Sequence, residues 1–125
     1  MTITRVGDLM NRERNHFGNA MTTKWIVLCN ENELGDGEMR AFEIRGALVA
    51  LYRVDSKFFA TSNVCSHAFG LLTDGWLDGQ LVECPLHGAQ FDIVDGSVRC
   101  GPATQALATY ATRIAGGKVE VDLPA

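Results

Sequence analysis

The chain has 125 residues, 46% of them hydrophobic, which suits one domain with its own core. Eleven basic against 15 acidic residues leave a formal charge of −4, so a surface built for nucleic acid phosphates or anionic lipid is excluded, and a charged partner would be basic. Apolar runs such as WIVLC (25 to 29) and ALVALY (47 to 52) fall far short of the roughly 18 residues of a membrane span. The N-terminus carries no continuous apolar segment of the secretory kind, and the expectation is a monomeric cytoplasmic protein that binds neither membrane nor nucleic acid.

In chain order, residues 1 to 20 are polar and lack an apolar period, which predicts a flexible extension or a short loosely docked arm ahead of a domain over 21 to 125. Next come four runs rich in β-branched and aromatic residues: KWIVLCN (24 to 30), MRAFEIR (39 to 45), ALVALYRV (47 to 54) and KFFAT (57 to 61). Asp55-Ser56, Asp78-Gly79, Asp95-Gly96 and Gly116-Gly117 punctuate the chain as turns. ATQALATYATRIA (103 to 115) is rich in alanine but holds three threonines, and it is expected as a strand leading into the Gly-Gly turn rather than as a helix. These signals predict an all-β domain without a substantial helix.

The chemistry lies in residues 65 to 87, CSHAFGLLTDGWLDGQLVECPLH. Cys65 and His67 stand two apart, Cys84 and His87 three apart, so two separate loops each offer one sulfur and one nitrogen. Four such ligands can close a tetrahedral zinc site or terminate both irons of a two-iron cluster. In a reducing compartment a clustered Cys/His set points to metal rather than to disulfides. Zinc fingers pair like ligands and support chains with little core, whereas this chain mixes ligands and has ample core.

The sequence closely resembles the Rieske family through Cys-x-His, a spacer of this length, and Cys-x-x-His. The context NVCSHAFGLLTDG, the following CPLHGAQFD and Gly101-Pro102 match the two ligand loops and the proline-containing covering loop of that family. The resemblance implies the Rieske fold, antiparallel β-sheets with a small cluster-binding subdomain made of these three loops. It implies one 2Fe-2S cluster, with Cys65 and Cys84 on one iron and His67 and His87 on the other. Two ferric irons and two sulfides are doubly positive. Two thiolates neutralise them where four would leave a double negative charge, which places the potential in a range of about −150 to +300 mV rather than near about −400 mV.

With both irons fully ligated, no position is left for substrate, and the resemblance implies a carrier with no catalytic residue. Gly70 and Leu86 stand where the membrane-bound Rieske subunits of cytochrome complexes have a further cysteine pair, and Ala89 stands where those proteins have a serine that donates to a cluster sulfur. Loss of that donor implies a potential near the low end of the range. What remains is similar to the ferredoxins of bacterial ring-hydroxylating dioxygenase systems. That likeness implies an NAD(P)H-dependent flavin reductase and a terminal Rieske non-haem iron oxygenase as partners. The small Rieske subunit of a reductase such as assimilatory nitrite reductase is the alternative. Oxygenation within the chain would need a second iron site of two histidines and a carboxylate, and His16, in the polar arm, is the one histidine left over.

Other residues have plainer expectations. Cys29 and Cys100 read as small core or loop thiols, Trp25 and Trp76 as packing residues, and Gly88 and Gly101 as points of close backbone approach with Pro102 stiffening the covering loop. Asp74, Asp78, Glu83, Asp92 and Asp95 are either a steering set for a basic partner or solvated turn residues.

Overall fold

The computed structural model describes residues 3–5, 25–66, 70–86, 88–101 and 105–123. Among them the chain is a succession of short strands in three sheets, with 3₁₀ turns at Glu31–Glu33 and Leu72–Asp74. The all-β expectation holds.

The first sheet runs in the order β1 (Ile3–Arg5), β3 (Met39–Ile44), β4 (Ala47–Val54), β5 (Lys57–Ser62), β10 (Thr109–Tyr110). The second has β11 (Thr112–Ala115), β12 (Lys118–Asp122) and β2 (Trp25–Asn30). The third, smaller sheet is β6 (Trp76–Asp78), β7 (Leu81–Glu83), β8 (Gln90–Asp92) and β9 (Val98–Cys100).

Hairpin geometry follows from two-residue turns whose central residues both take positive φ, the form that matches the twist of paired strands. Asp55 and Ser56 lie at φ 53° and 65°, Gly116 and Gly117 at 60° and 78°. Arg45 and Gly46, at 50° and 85°, make a third such turn between β3 and β4. The pairing Ile44↔Ala47 that it closes fixes the whole β3–β4 register.

β4 explains how the layers assemble. Its residues Val49, Ala50, Leu51 and Tyr52 are all buried, so both faces are covered and the hydrophobic run is continuous rather than alternating. Val49 and Leu51 join Ile26, Phe42, Ile44, Phe58, Val119 and Val121 in a core between the first two sheets. Ala50 and Tyr52 face the other way, into a second core with Leu72, Val82, Phe91, Ile93, Leu107, Cys65 and Cys84. The Tyr52 hydroxyl lies 2.8 Å from Thr61 Oγ1 in this second layer, so its polar end is satisfied.

Two expectations need correction, and the N-terminal arm gains one described strand. Within the predicted flexible extension, Ile3–Arg5 pairs in parallel with Ala41–Glu43, because the outer side of β3 offers a row of backbone groups that this segment satisfies. The rest of the extension, with His16 and the boundary at residue 20, lies outside the described residues. The stretch from 103 to 115 is not one strand: Tyr110 pairs with Ala60 in the first sheet, then the chain leaves at Ala111 and Thr112 pairs with Val121 in the second. One threonine-rich run therefore serves both layers. Trp76 is not packed inside: it is 60% exposed on an edge strand, while Trp25 is half-buried with the Arg113 guanidinium 4.2 Å over its ring.

Gly96 ties the small sheet to the segment that returns to the first one. Its carbonyl accepts the Leu107 N–H at 2.8 Å, its φ is +77°, and a Cβ there would lie 2.3 Å from the Leu107 carbonyl oxygen. Gly96→Ala is therefore expected to destabilise the fold by about 2 kcal/mol or more, from left-handed strain plus that collision. Denaturant titration should show a lower midpoint at unchanged slope; an unaltered midpoint would refute the assignment.

Candidate functional site

Both cysteines of the motif sit at the start of a loop closed by backbone hydrogen bonds. In the first loop, Val64 bridges Leu71 and the Cys65 N–H donates to the Gly70 carbonyl at 2.9 Å. In the second, Glu83 pairs with Gln90, the Cys84 N–H donates to the Ala89 carbonyl at 2.8 Å, and the Gly88 N–H donates back to the Cys84 carbonyl at 3.2 Å. Gly88, at φ +75°, makes that return.

The feet of the first loop are held by Asn63, two residues before Cys65. Its Nδ2 donates to Thr73 Oγ1 and its Oδ1 accepts from the Thr73 N–H, both at 2.9 Å. Its backbone also bonds Leu48 and Leu72. Asn63 and Thr73 are both buried, so the clamp works where water does not compete. Asn63 and Thr73 are positioning residues that sequence reasoning passed over, although Asn63 stands inside the matched context NVCSH.

The two loops meet through small residues. A Cβ on Gly70 would lie 2.9 Å from the Leu86 side chain and 3.4 Å from Cys84 Sγ, so glycine in the first loop makes room for the sulfur of the second. Gly101 performs the same task for the covering segment, with φ +94° and a hypothetical Cβ only 2.8 Å from Ala89 Cα. Further along, the Ser66 hydroxyl donates to the Gln105 carbonyl at 2.6 Å, which ties that segment to the first loop. Pro102 lies outside the described residues, but the chain on either side of it rests on one ligand loop and then the other.

Cys65 and Cys84 are 3% and 1% exposed and belong to one apolar cluster with Ala89. His67 and His87 lie outside the described residues. Two buried thiols from separate loops, with glycine leaving space beside one sulfur, are a donor set suited to a soft metal centre or an iron–sulfur cluster. Leu86, between Cys84 and His87, is 54% exposed, so the second loop carries an apolar side chain outward from the buried sulfur.

The remaining cysteines separate cleanly. Cys29 is a core thiol whose pKa is pushed up by burial, with nearby Glu33 adding in the same direction. Cys100, expected in the core or a loop, is instead exposed at the end of β9. Of the acidic set, Asp92 is buried, bonds Arg99 at 3.1 Å and caps the Val94 N–H, while Asp95 caps the Ser97 N–H. Asp95 is a turn residue and Asp92 ends β8 at the same turn; Asp74 and Asp78 are exposed, and Glu83 is half-buried.

Asn63→Ala should open the first loop, because Thr73 loses its partner at both the backbone and the hydroxyl. A cost of about 2 kcal/mol is expected, together with a lower content of iron and acid-labile sulfide per chain. Full cluster content at an unchanged melting temperature would show that the clamp does not hold the site.

Comparison with known proteins agrees with this geometry. The model of the Rieske [2Fe-2S] domain matches residues 24–111. The ferredoxin component of the naphthalene 1,2-dioxygenase system of Pseudomonas aeruginosa is 39% identical over 103 residues, 82% of this chain and 99% of that protein. Among solved structures, a complex of reduced oxygenase and oxidized ferredoxin in carbazole 1,9a-dioxygenase superposes with a TM-score of 0.76 at 34% identity, covering 78% of this chain and 91% of that one. A ferredoxin of Sphingomonas yanoikuyae B1 gives the same TM-score at 37% identity, with 81% and 100% covered. Matched residues, loop architecture and near full-length agreement with these relatives together place the chain in the Rieske [2Fe-2S] family, whose cofactor is a two-iron, two-sulfur cluster.

Proposed function

We propose that the protein is a one-electron carrier between an NAD(P)H-dependent flavin reductase and a terminal Rieske non-haem iron oxygenase, working in the cytoplasm as a monomer. The observation that carries this reading is the agreement, over 99% of the relative's length, with a protein that is itself the ferredoxin component of a dioxygenase system. A fixed subunit of a reductase is the less supported alternative.

In this reading Cys65 and Cys84 hold one iron and His67 and His87 the other. When bound, the cluster supplies one reversibly held electron. The chain does the rest. The Asn63 clamp and the Cys65 and Cys84 backbone hydrogen bonds fix the sulfur positions, so little rearrangement accompanies a change of charge. Burial of both thiols keeps water from them. Ala89, wholly buried among the same side chains, brings no hydroxyl toward the sulfurs, which favours a potential low in the Rieske range.

The deciding experiment combines NAD(P)H, a flavin reductase, this protein and an oxygenase, with each electron-transfer step followed separately. Electrons should reach the oxygenase at an appreciable rate only when this protein is present. Equal reduction of the oxygenase without it would overturn the carrier reading. The ligand assignment has its own test: His67→Cys or His87→Cys adds a thiolate's negative charge, so a cluster that still assembles should show a lower potential in voltammetry. An upward shift would refute the charge argument.

A further inference from the structure

The geometry points to the solvent face of the β6–β7 ribbon, centred on Trp76, as a docking surface for a redox partner that presents a lysine or arginine beside an apolar cleft. The inference rests on the carrier reading and specifies which surface the partner recognises.

β6 is an edge strand: among the described residues it pairs with β7 alone. Along it Leu77 turns inward against the second core, so its neighbours Trp76 and Asp78 share the outward face and are both exposed. Directly opposite Trp76 in the antiparallel register stands Glu83. Its carboxylate accepts from Gln90 Nε2 at 3.0 Å, on the β8 side of β7. Asp74, two residues before Trp76, is exposed as well. A tryptophan exposed to 60% thus stands on an edge strand with an exposed aspartate two residues to either side of it.

The same chain shows what such an arrangement receives. In the second sheet Arg113 lies 4.2 Å over the Trp25 ring while its Nε donates to Glu120 at 2.8 Å, a guanidinium held between an indole and a carboxylate. Trp76 is an indole on a strand edge as well, with Asp74 and Asp78 near it in sequence, yet no arginine or lysine of the described residues covers it. On this inference the complementary cation is supplied by the partner. Tryptophan is the strongest cation–π partner among the side chains and is enriched among residues that dominate binding energy at interfaces.

Charge distribution favours the same partner. Residues 70 to 101 hold five carboxylates, Asp74, Asp78, Glu83, Asp92 and Asp95, against the single guanidinium of Arg99, which is a net four negative charges. That equals the formal −4 of the whole chain, so the remainder is balanced. Arg99 is engaged by Asp92, away from Trp76 in the register, so it does not neutralise this face.

The surface also adjoins the buried thiols. Gly75, next to Trp76, packs so closely on the second ligand loop that a Cβ would lie 1.9 Å from the Glu83 carbonyl oxygen and 3.1 Å from Pro85 Cδ. Glu83 itself immediately precedes Cys84. A partner cation seated on Trp76 would therefore set the partner against the loop that carries exposed Leu86.

The test measures the concentration of this protein that half-saturates each electron-transfer step, reductase to carrier and carrier to oxygenase. Trp76→Ala should raise it about tenfold for at least one partner while cluster absorption, iron content and potential stay as in the wild type. Trp76→Phe should recover part of the loss. Asp78→Lys should weaken the same step and flatten its dependence on salt. Ile114→Ala, which trims an exposed apolar side chain on β11, should change neither step. Wild-type saturation of both steps by Trp76→Ala and Asp78→Lys would overturn the proposal. So would sedimentation showing that Trp76→Ala abolishes a dimer of this chain, since the face would then be a contact between copies. A wild-type protein that carries no electrons at all would instead refute the carrier reading, and this proposal with it.

Discussion

Strand β4 has to bury both of its faces, and the arrangement of the molecule depends on that requirement. A strand covered on one side only can end in solvent on the other; Val49, Ala50, Leu51 and Tyr52 leave no such option. One side is closed by the three-stranded sheet through Val119, Val121 and Ile26. The other must be closed by something else, and the small sheet with its two cysteine loops is what closes it, through Val82, Phe91 and Ile93. The thiols are thus seated in a hydrophobic core that the fold needs for its own reasons, and loop geometry inherits the rigidity of close packing.

That core contributes burial, but contact between the loops is set by what is missing from side chains. Gly70, Gly75 and Gly101 each bring backbone to a place where even a Cβ would collide with or crowd a neighbour in the ligand loops. Hydrogen bonds then fix the spacing: Cys65 to Gly70, Cys84 to Ala89, Ser66 to Gln105, and the doubled contact of Asn63 with Thr73. Almost all of these use main-chain atoms or short side chains, which have little freedom to lose and little room to move. A site built this way holds its geometry when its charge changes, which suits electron transfer better than bond-making.

Much of this was legible in the residues. β4 coincides with ALVALYRV because a continuous apolar run flanked by turn residues has few alternatives, and the motif spacing located the loops because ligand atoms must converge. What escaped reading had physical causes. Parallel pairing of Ile3–Arg5 depends on a free edge formed by residues more than thirty positions away, which no local pattern reports. The break at Ala111 depends on two sheets parting, not on the threonines around it. Arg45 takes a positive φ that its side chain does not favour, because the β3–β4 register demands the turn. Trp76 defied expectation most usefully: hydrophobicity predicts burial, yet the register turns Leu77 inward and so obliges its neighbour to face water.

Burial of Cys65 and Cys84 has one more consequence. As neutral thiols they are at home among Leu72, Val82 and Phe91, since free cysteine packs like a small apolar residue. As thiolates without compensation they would be two like charges in one apolar cluster, which costs several kcal/mol per ion even after relaxation. The positive charge of ligated iron would remove that cost, so a bound cluster and the second core would stabilise each other. The first core contains neither Cys65 nor Cys84. Division of the hydrophobic interior by β4 therefore places both ligand thiols in one layer and leaves the other layer free of them.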